Sequence, residues 1–237
     1  MGSKNGVTGL CQLLLATGRR GLSHTFLPVG IALMFASWSI GQEATGQSRS
    51  REAPATQQTK EIFSGPQVGE DLLELPVWIK SLDDKPSEKA DLAEIAKKHP
   101  TTIIFMHEKS RPAFGLARLV SEFARKKTDK EIKVFLVVLT DDRSSTETWL
   151  GMIHRYFEPP TRLAVADGGI EGPGSLGLNR LVAVTALVVK DGKVTKNMAL
   201  TQVTEAVDAP ALLEAMNEVS GGGEIPSLDE LRPRPRR

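Results

Sequence analysis

Hydrophobic residues follow two different spacings along the middle of the chain. Residues 101–107 (TTIIFMH) and 132–140 (IKVFLVVLT) form continuous apolar runs, which are typical of strands buried on both faces of a sheet. Between them, residues 114–127 repeat apolar side chains every three or four positions and end in basic residues, the pattern of an amphipathic helix. The sequence therefore predicts a strand, a loop, a helix and a second strand in this order.

The same spacings predict elements on both sides of this unit. Segment 71–79 is expected to be an edge strand, because Pro76 has no N–H to donate to a neighbouring strand. Ser87 is the expected cap of a helix at 86–99, and Asp208 is the expected cap of a helix at 209–221. An Asp-Gly turn near residue 191 indicates a hairpin. The additional strands are predicted at 71–79, 160–167, 181–189 and 193–200, and the additional helices at 86–99, 144–157 and 209–221.

Helices separate the buried strands in the predicted order β-α-β-α-β-α-β-β-β-α. Strands that are joined through a helix pair in parallel, whereas the hairpin adds antiparallel strands. The expected fold class is therefore α/β, in three α/β/α layers, with a central mixed sheet and helices on both of its faces. The strands at 102–106 and 133–139 are expected to be adjacent and parallel at the centre of this sheet.

The first part of the chain has the pattern of an export segment. An apolar run at 25–42 follows two arginines and predicts a signal peptide or an N-terminal anchor over residues 1–41. Small residues precede Gln42, so cleavage is expected there if the run is a signal peptide, whereas the long segment before it keeps an uncleaved anchor open. The predicted location is extracytoplasmic, either periplasmic or secreted, or else membrane-anchored through this segment.

Two polar segments flank the predicted folded domain. Residues 42–62 are rich in Ser, Thr, Gln and Ala and predict a disordered linker. Residues 220–237 begin with a glycine run and end in alternating Arg and Pro, which predicts a flexible tail. The folded domain is therefore expected at 63–219.

Composition narrows the classes of function. The net charge of the 237 residues is +1 and only 5% of them are aromatic, so neither a cationic field nor base stacking favours binding to nucleic acid. The one cysteine, Cys11, lies in the predicted export segment. If that segment is removed, the mature protein has no cysteine, which excludes disulfides, thiolate nucleophiles and cysteine metal ligands.

The order of elements, with a proline at the third position of the loop after the first buried strand and a later hairpin, resembles the thioredoxin fold. It is most similar to the exported TlpA-like and peroxiredoxin-like (redoxin) branch. Segments 66–75, 137–150 and 163–194 carry this similarity, which extends over about residues 66–219.

The resemblance fails at the residues that would carry redox chemistry. The cysteine pair of the family falls on Ser110 and Ala113, with Arg111 between them and with Pro112 kept. A peroxidatic cysteine would fall near Glu108 or Ser110, and neither is cysteine. Because thiol exchange and peroxide reduction both need a thiolate, the resemblance implies a redox-inactive protein.

A second departure concerns the family's cis-proline, which falls on Val184, whereas the following Thr185 is kept. A cis peptide without proline costs about 2.5–4 kcal/mol, so the bond before Val184 is expected to be trans. Val182, Ala183 and Val184 are then expected to line the loop that faces Ser110 with apolar surface.

Other chemistries are conceivable from the same residues. Ser110 with His107 or His154 would suit a hydrolase, although the sequence lacks a nucleophile-elbow pattern, and Ser110 is also a good helix cap. Asp141 and Asp142 with the two histidines lack a paired-histidine spacing, so no metal site is expected. The glycine-rich segment 168–179 precedes a strand instead of a helix, which indicates a winding loop and not a nucleotide site.

The expected function is binding of a protein or peptide at the former redox face, without catalysis and without a cofactor. Arg111 is its most suggestive residue, because it lies beside a helix N-terminus, where anions are favoured. A non-redox enzyme using Ser110, His107 and Glu108, and a purely structural domain, are the alternatives. The oligomeric state stays open. We define the former redox face by eight residues: His107, Glu108, Ser110, Arg111, Pro112, Ala113, Val184 and Thr185.

Overall fold

A mixed sheet organises the part of the chain that the structure, a computed structural model, describes: residues 62–81, 85–127 and 131–232. The predicted export segment and nearly all of the predicted linker lie outside these residues. The strands are β1 (Pro76–Ile79), β2 (Glu88–Asp91), β3 (Thr101–Met106), β4 (Lys133–Val138), β5 (Thr161–Ala166), β6 (Val184–Lys190) and β7 (Lys193–Leu200). The α-helices are α1 (Leu92–Ala96), α2 (Arg111–Lys126), α3 (Arg143–Ile153), α4 (Glu205–Val219) and α5 (Leu228–Leu231).

The strands lie in the order β2-β1-β5-β4-β3-β6-β7. Strands β3, β4 and β5 are parallel, because α2 and α3 connect them, and the other pairs are antiparallel. Strands β3 and β4 pair in register from Thr101 with Lys133 to Met106 with Val138. The predicted central parallel pair is therefore confirmed, as is the mixed sheet.

Apolar side chains form a separate core on each face of the sheet. On one face, α2, α3 and α4 bury residues such as Leu116, Phe123 and Leu213. On the other face, α1 and the segment before β1 pack over Phe105 and Phe135. Helices thus cover both faces, which confirms the three-layer arrangement, although the second face has only one short helix among the described residues.

The helix predicted at 86–99 forms over only part of that segment. Its first part is strand β2, which pairs antiparallel with β1, and α1 has only five residues. Asp91 caps α1 by accepting the N–H of Ala93 at 2.9 Å, so the expected cap at Ser87 is wrong. The local helical pattern was overridden by backbone hydrogen bonds to β1, a contact that no local pattern reports.

The predicted position of the first strand at a sheet edge is also wrong. Strand β1 lies between β2 and β5, and Pro76 is its first residue. A proline at the start of a strand removes no bond from the interior of the ladder, and its carbonyl still accepts the N–H of Asp167 at 3.0 Å. The described edges of the sheet are β2 and β7.

The C-terminal part differs from the prediction in two details. Helix α4 begins earlier than expected, with Thr204 as N-cap, and the carboxylate of Asp208 accepts the Thr204 N–H at 2.6 Å. The tail that was expected to be flexible from residue 220 contains α5, in which Leu231 is buried. Among the described residues, no helix combines the length and apolar character needed to cross a membrane.

Candidate functional site

The loop that leads from β3 into α2 has the geometry expected of a cap. Ser110 is the N-cap, and its hydroxyl accepts the N–H of Ala113 at 3.4 Å. Arg111 and Pro112 are the first two residues of the helix, where the missing N–H of proline costs no hydrogen bond. The predicted cap and the predicted place of Pro112 in the first turn are confirmed.

Exposure divides this loop into an outer and an inner part. Glu108, Arg111 and Pro112 are exposed, whereas Ala113 is buried. Arg111 lies at a helix N-terminus, and its side chain has no hydrogen-bond or ion-pair partner among the described residues. Its guanidinium is therefore accessible to an anionic group, and the positive end of the dipole of α2 favours the same charge.

Strand β6 supports this loop from beneath and is not part of its surface. Backbone N–H groups of His107 and Glu108 both donate to the carbonyl of Ala183, at 3.0 and 3.2 Å. Val184 and Thr185 are fully buried. Val182 and Ala183 are buried as well. The expected apolar lining from Val182, Ala183 and Val184 is therefore wrong, because all three side chains are directed into the protein, Val184 through its pairing with β3 and β7.

The peptide before Val184 is trans, as expected, since the one cis peptide among the described residues is Pro159–Pro160. Val184 consequently continues a regular strand and pairs with Met106 on one side and with Leu200 on the other. The loop that opposes Ser110 does not have the shape that a cis-proline would impose.

A buried chain of hydrogen bonds runs beneath the former redox face. The hydroxyls of Ser64 and Thr185 are 2.6 Å apart, and Thr185 Oγ1 lies 3.0 Å from His107 Nε2. Ser64 also accepts the N–H of Asn179 at 2.9 Å. The tautomer of His107 decides whether Thr185 donates to its ring or accepts from it.

This environment keeps His107 neutral. Burial lowers the pKa of its imidazole from 6.5 to about 4, because the charged form loses hydration without gaining a carboxylate partner. Its Nδ1 atom is buried and has no hydrogen-bond partner among the described residues. His107 is therefore neutral at neutral pH, is hydrogen-bonded to Thr185 and does not add positive charge to the face.

The alternative catalytic arrangements are not assembled. His107 is bonded to Thr185 instead of Ser110, and His154 Nδ1 lies 2.5 Å from the Gly151 carbonyl in a different part of the domain. Asp142 caps α3 through the N–H of Ser145 at 3.0 Å. Among the described residues, no three His, Asp or Glu side chains are grouped so as to hold a metal ion.

Two exposed apolar residues beside the loop were missed in the sequence. Leu181 precedes the Ala183 carbonyl that holds the loop and is 73% exposed, and Val207 in the first turn of α4 is 69% exposed. The start of α4 lies against the start of α2. The carboxylate of Glu205 is so close to Gly115 that a Cβ at this position would collide with it. No local pattern distinguishes these two residues from core residues, since each belongs to an apolar segment.

Solved structures show where this architecture has been seen before. A candidate thiol:disulfide interchange protein DsbE from Chlorobium tepidum matches 65% of this chain and 99% of its own, with 15% identity and a TM-score of 0.52. The chain has a thioredoxin-like fold. A mitochondrial 2-Cys peroxiredoxin from Plasmodium falciparum matches 67% of this chain and 99% of its own, with 12% identity and a TM-score of 0.45. No protein-family model and no curated protein sequence matches the chain.

This thioredoxin-like domain differs from a thiol enzyme in one decisive respect. The only cysteine of the chain is Cys11, which lies outside the described residues. The positions at the start of α2 hold a serine that caps the helix and an alanine that is buried beneath it. The loop is held by a helix cap and by backbone hydrogen bonds, and no cysteine sulfur is present within the described domain.

Proposed function

We propose that the protein is a redox-inactive thioredoxin-like domain that acts outside the cytoplasm and binds a protein or peptide segment at the former redox face. One observation carries this proposal: the loop keeps a capped, hydrogen-bonded shape in the absence of cysteine, and it presents Arg111 without a partner among the described residues.

The surroundings of Arg111 indicate the chemistry of the partner. Leu181 and Val207 supply exposed apolar surface on the β6 and α4 sides of the loop. A segment with an acidic side chain or a C-terminal carboxylate next to an apolar side chain would match this combination. Arginine beside apolar surface is also the composition from which strong interface contacts are commonly built.

Photocrosslinking tests the location of this surface. Benzoylphenylalanine is placed at Leu181 or at Val207, and the protein is irradiated in its native extracytoplasmic fraction. Val68 is the matched control, since it is 62% exposed but adjoins β7 near the β6–β7 turn, at the opposite end of the sheet. We expect both positions at the face to capture the same polypeptide, and we expect Arg111→Glu to lower its yield severalfold.

Three outcomes would contradict the proposal. Capture from Val68 with the same yield would show that the contact is not specific for the face. Absence of any shared product from Leu181 and Val207 would remove the docking surface. Reduction of a disulfide or of a peroxide above the rate in buffer would show that the protein is an active redox enzyme.

Export has its own test. The proposed location rests on the apolar run at 25–42, which lies outside the described residues. We expect the N-terminus of the cellular protein to be Gln42 if the run is a cleaved signal peptide, and Met1 if it is an anchor. Recovery of the full-length protein in the soluble cytoplasmic fraction would reject both forms of the location.

A further inference from the structure

A groove lies at the end of the sheet opposite to the former redox face. It is bounded by the end of β1, the starts of β4 and β5, helix α1 and the segment around Pro159 and Pro160. We call it the amino-end groove. Because β4 is six residues long, the groove is about 16 Å from the carboxyl end of the sheet where Arg111 lies. Its volume is about 650 Å³, within the range of small-molecule sites.

Positive charge dominates the rim of the amino-end groove. Four cationic side chains line it: Lys80, Lys98, Lys133 and Arg162. The three lysines have no ion-pair partner among the described residues. They come from separate segments that backbone hydrogen bonds bring together, since the N–H of Lys80 donates to the Leu163 carbonyl and that of Lys133 to the Pro100 carbonyl, each at 2.8 Å.

Nearby carboxylates do not neutralise this charge. Glu94 is the one carboxylate in the described lining, and it is already bound by Lys97 at 2.6 Å. Glu88 approaches Arg162 at 3.4 Å, and both side chains are largely exposed, so this pair is weak. Glu131 lies 3.4 Å from His99, which also lines the groove, and so adds one further carboxylate near this rim. The three lysines still leave a surplus of positive charge over the groove.

The floor of the groove is apolar. Ile95 on α1 and Pro160 are partly exposed and Pro159 is exposed, whereas the lining residues Phe135 and Leu163 are almost fully buried. A site with apolar walls and a few charged groups on one rim is suited to a ligand that has one charged end and one apolar end. Such a ligand has a single anionic head and an apolar body.

We propose that the amino-end groove binds a small amphiphilic carboxylate, such as a medium-chain fatty acid. The carboxylate lies at the three lysines that have no ion pair among the described residues, and the hydrocarbon body lies on the floor of Ile95 and the two prolines. This site is independent of the proposed docking face, because none of its lining residues belongs to that face.

Displacement of a fluorescent anion tests the proposal on the full chain. Anilinonaphthalene sulfonate, which also combines an anion with an apolar body, is bound first and then displaced by decanoate. Decanol supplies the same tail without charge, acetate supplies the charge without the tail, and decyltrimethylammonium reverses the charge. We expect decanoate to displace the dye with one-to-one stoichiometry and each of the other three to need at least about tenfold higher concentration.

Lysine-to-glutamate substitutions test the location of the binding site. We expect the double variant Lys98→Glu with Lys133→Glu to bind decanoate at least about tenfold more weakly. Lys190→Glu with Lys196→Glu is the matched control, because these lysines lie on β6 and β7 outside the groove and have no ion-pair partner among the described residues. The control is expected to change the affinity by less than about twofold, as salt screens distant charges.

Methyl NMR provides a readout that does not depend on any variant. Decanoate is expected to shift the methyl resonances of Ile95 and Leu163 and to leave those of Leu181 and Val207 in place. The proposal is overturned if decanol competes as well as decanoate, if both double variants lose affinity equally, or if the shifts fall on the former redox face.

Discussion

The two ends of the central sheet differ in how their polar side chains are bonded. At the carboxyl end, the hydroxyl of Thr185 joins Ser64 and His107 in one buried chain, and Ser110 closes the first turn of α2. At the amino end, the buried hydroxyl of Thr161 has no partner among the described residues, and the lysines of the groove are unpaired. The carboxyl end thus has a continuous chain of buried side-chain bonds, whereas the groove at the amino end has three lysines without an ion pair among the described residues.

This difference bears on what survives when a catalytic group is absent. At the carboxyl end, the loop before α2 is held by a cap and by buried hydroxyls, neither of which needs sulfur. At the amino end, the Thr101 hydroxyl donates to the His99 carbonyl at 2.8 Å, but the three lysines of the groove have no ion pair among the described residues and are available to a molecule from outside.

Restoring the two cysteines tests whether shape alone gives activity. Positions 110 and 113 lie at the N-cap and the third residue of a helix, a separation that a disulfide can span. We expect Ser110→Cys with Ala113→Cys to form that disulfide but to exchange with a reduced thiol roughly a hundredfold more slowly than a thioredoxin. The trans strand at Val184 does not recreate the loop that a cis-proline forms opposite the pair.

Stopped-flow reduction of the oxidised double variant gives the rate. The single variant Ser110→Cys is the control, since it cannot form the intramolecular bond. A rate equal to that of a thioredoxin would mean that the opposing strand has no influence on exchange, and the carboxyl end would then be an intact redox site that lacks only sulfur.

Two threonine substitutions compare the ends of the sheet directly. Thr185→Val removes the hydroxyl that bonds to both Ser64 and His107, so we expect the free energy of unfolding to fall by about 1–3 kcal/mol. Thr161→Val removes a buried hydroxyl without a described partner, so we expect it to be neutral or to raise stability by up to about 1 kcal/mol. Urea denaturation measures both, and equal losses would contradict the comparison.

His107 gives the carboxyl end a dependence on pH. Its folded-state pKa of about 4 lies below the ordinary value of 6.5, so the unfolded chain binds its proton first as the pH falls. Stability from this group is complete above pH 6.5 and is lost progressively as the pH falls toward 4. Allowing for partial exposure of the ring, we expect a loss of about 1–2 kcal/mol.

The measurement is the free energy of unfolding between pH 4 and pH 7 in the wild type and in His107→Gln, which does not titrate there. Between pH 7 and pH 4, the free energy of unfolding of the variant should fall by about 1–2 kcal/mol less than that of the wild type. His99→Gln is the control from the amino end, because His99 lines the groove. A larger change of slope in the control than in His107→Gln would contradict the assignment.

Local patterns in the sequence were sufficient for the centre of the fold. The apolar runs of β3 and β4 and the one-sided helix α2 predict their own structures, and their alternation with helices predicts parallel pairing. Ser110 was predicted as a cap because serine before a proline and an apolar helix is a local signal. These features depend on neighbours only a few residues away.

Features that depend on distant residues were missed. Ser64 and Thr185 are 121 positions apart, so neither gives a sign of the bond between them. Strand β2 was predicted as helix, since its partner β1 is specified by tertiary contact and not by its own spacing. The amino-end groove was not found because several separate segments contribute its lining.

The smallest expected effects distinguish the cap from the exposed cation next to it. Ser110→Ala should lower the free energy of unfolding by about 0.5–1 kcal/mol, the lower part of the range for a cap, because the bond to Ala113 is long at 3.4 Å. Ser110→Asp retains a capping acceptor and should recover the loss. Arg111→Ala should change stability by less than about 0.5 kcal/mol, since the side chain is exposed and has no described partner. If urea denaturation showed Arg111→Ala to be the more damaging substitution, Arg111 would be a structural residue, and the docking face would lose its anionic contact. If Ser110→Ala alone lost stability, the loop would combine a structural serine with a free arginine, which is the division expected of a scaffold that presents a binding group.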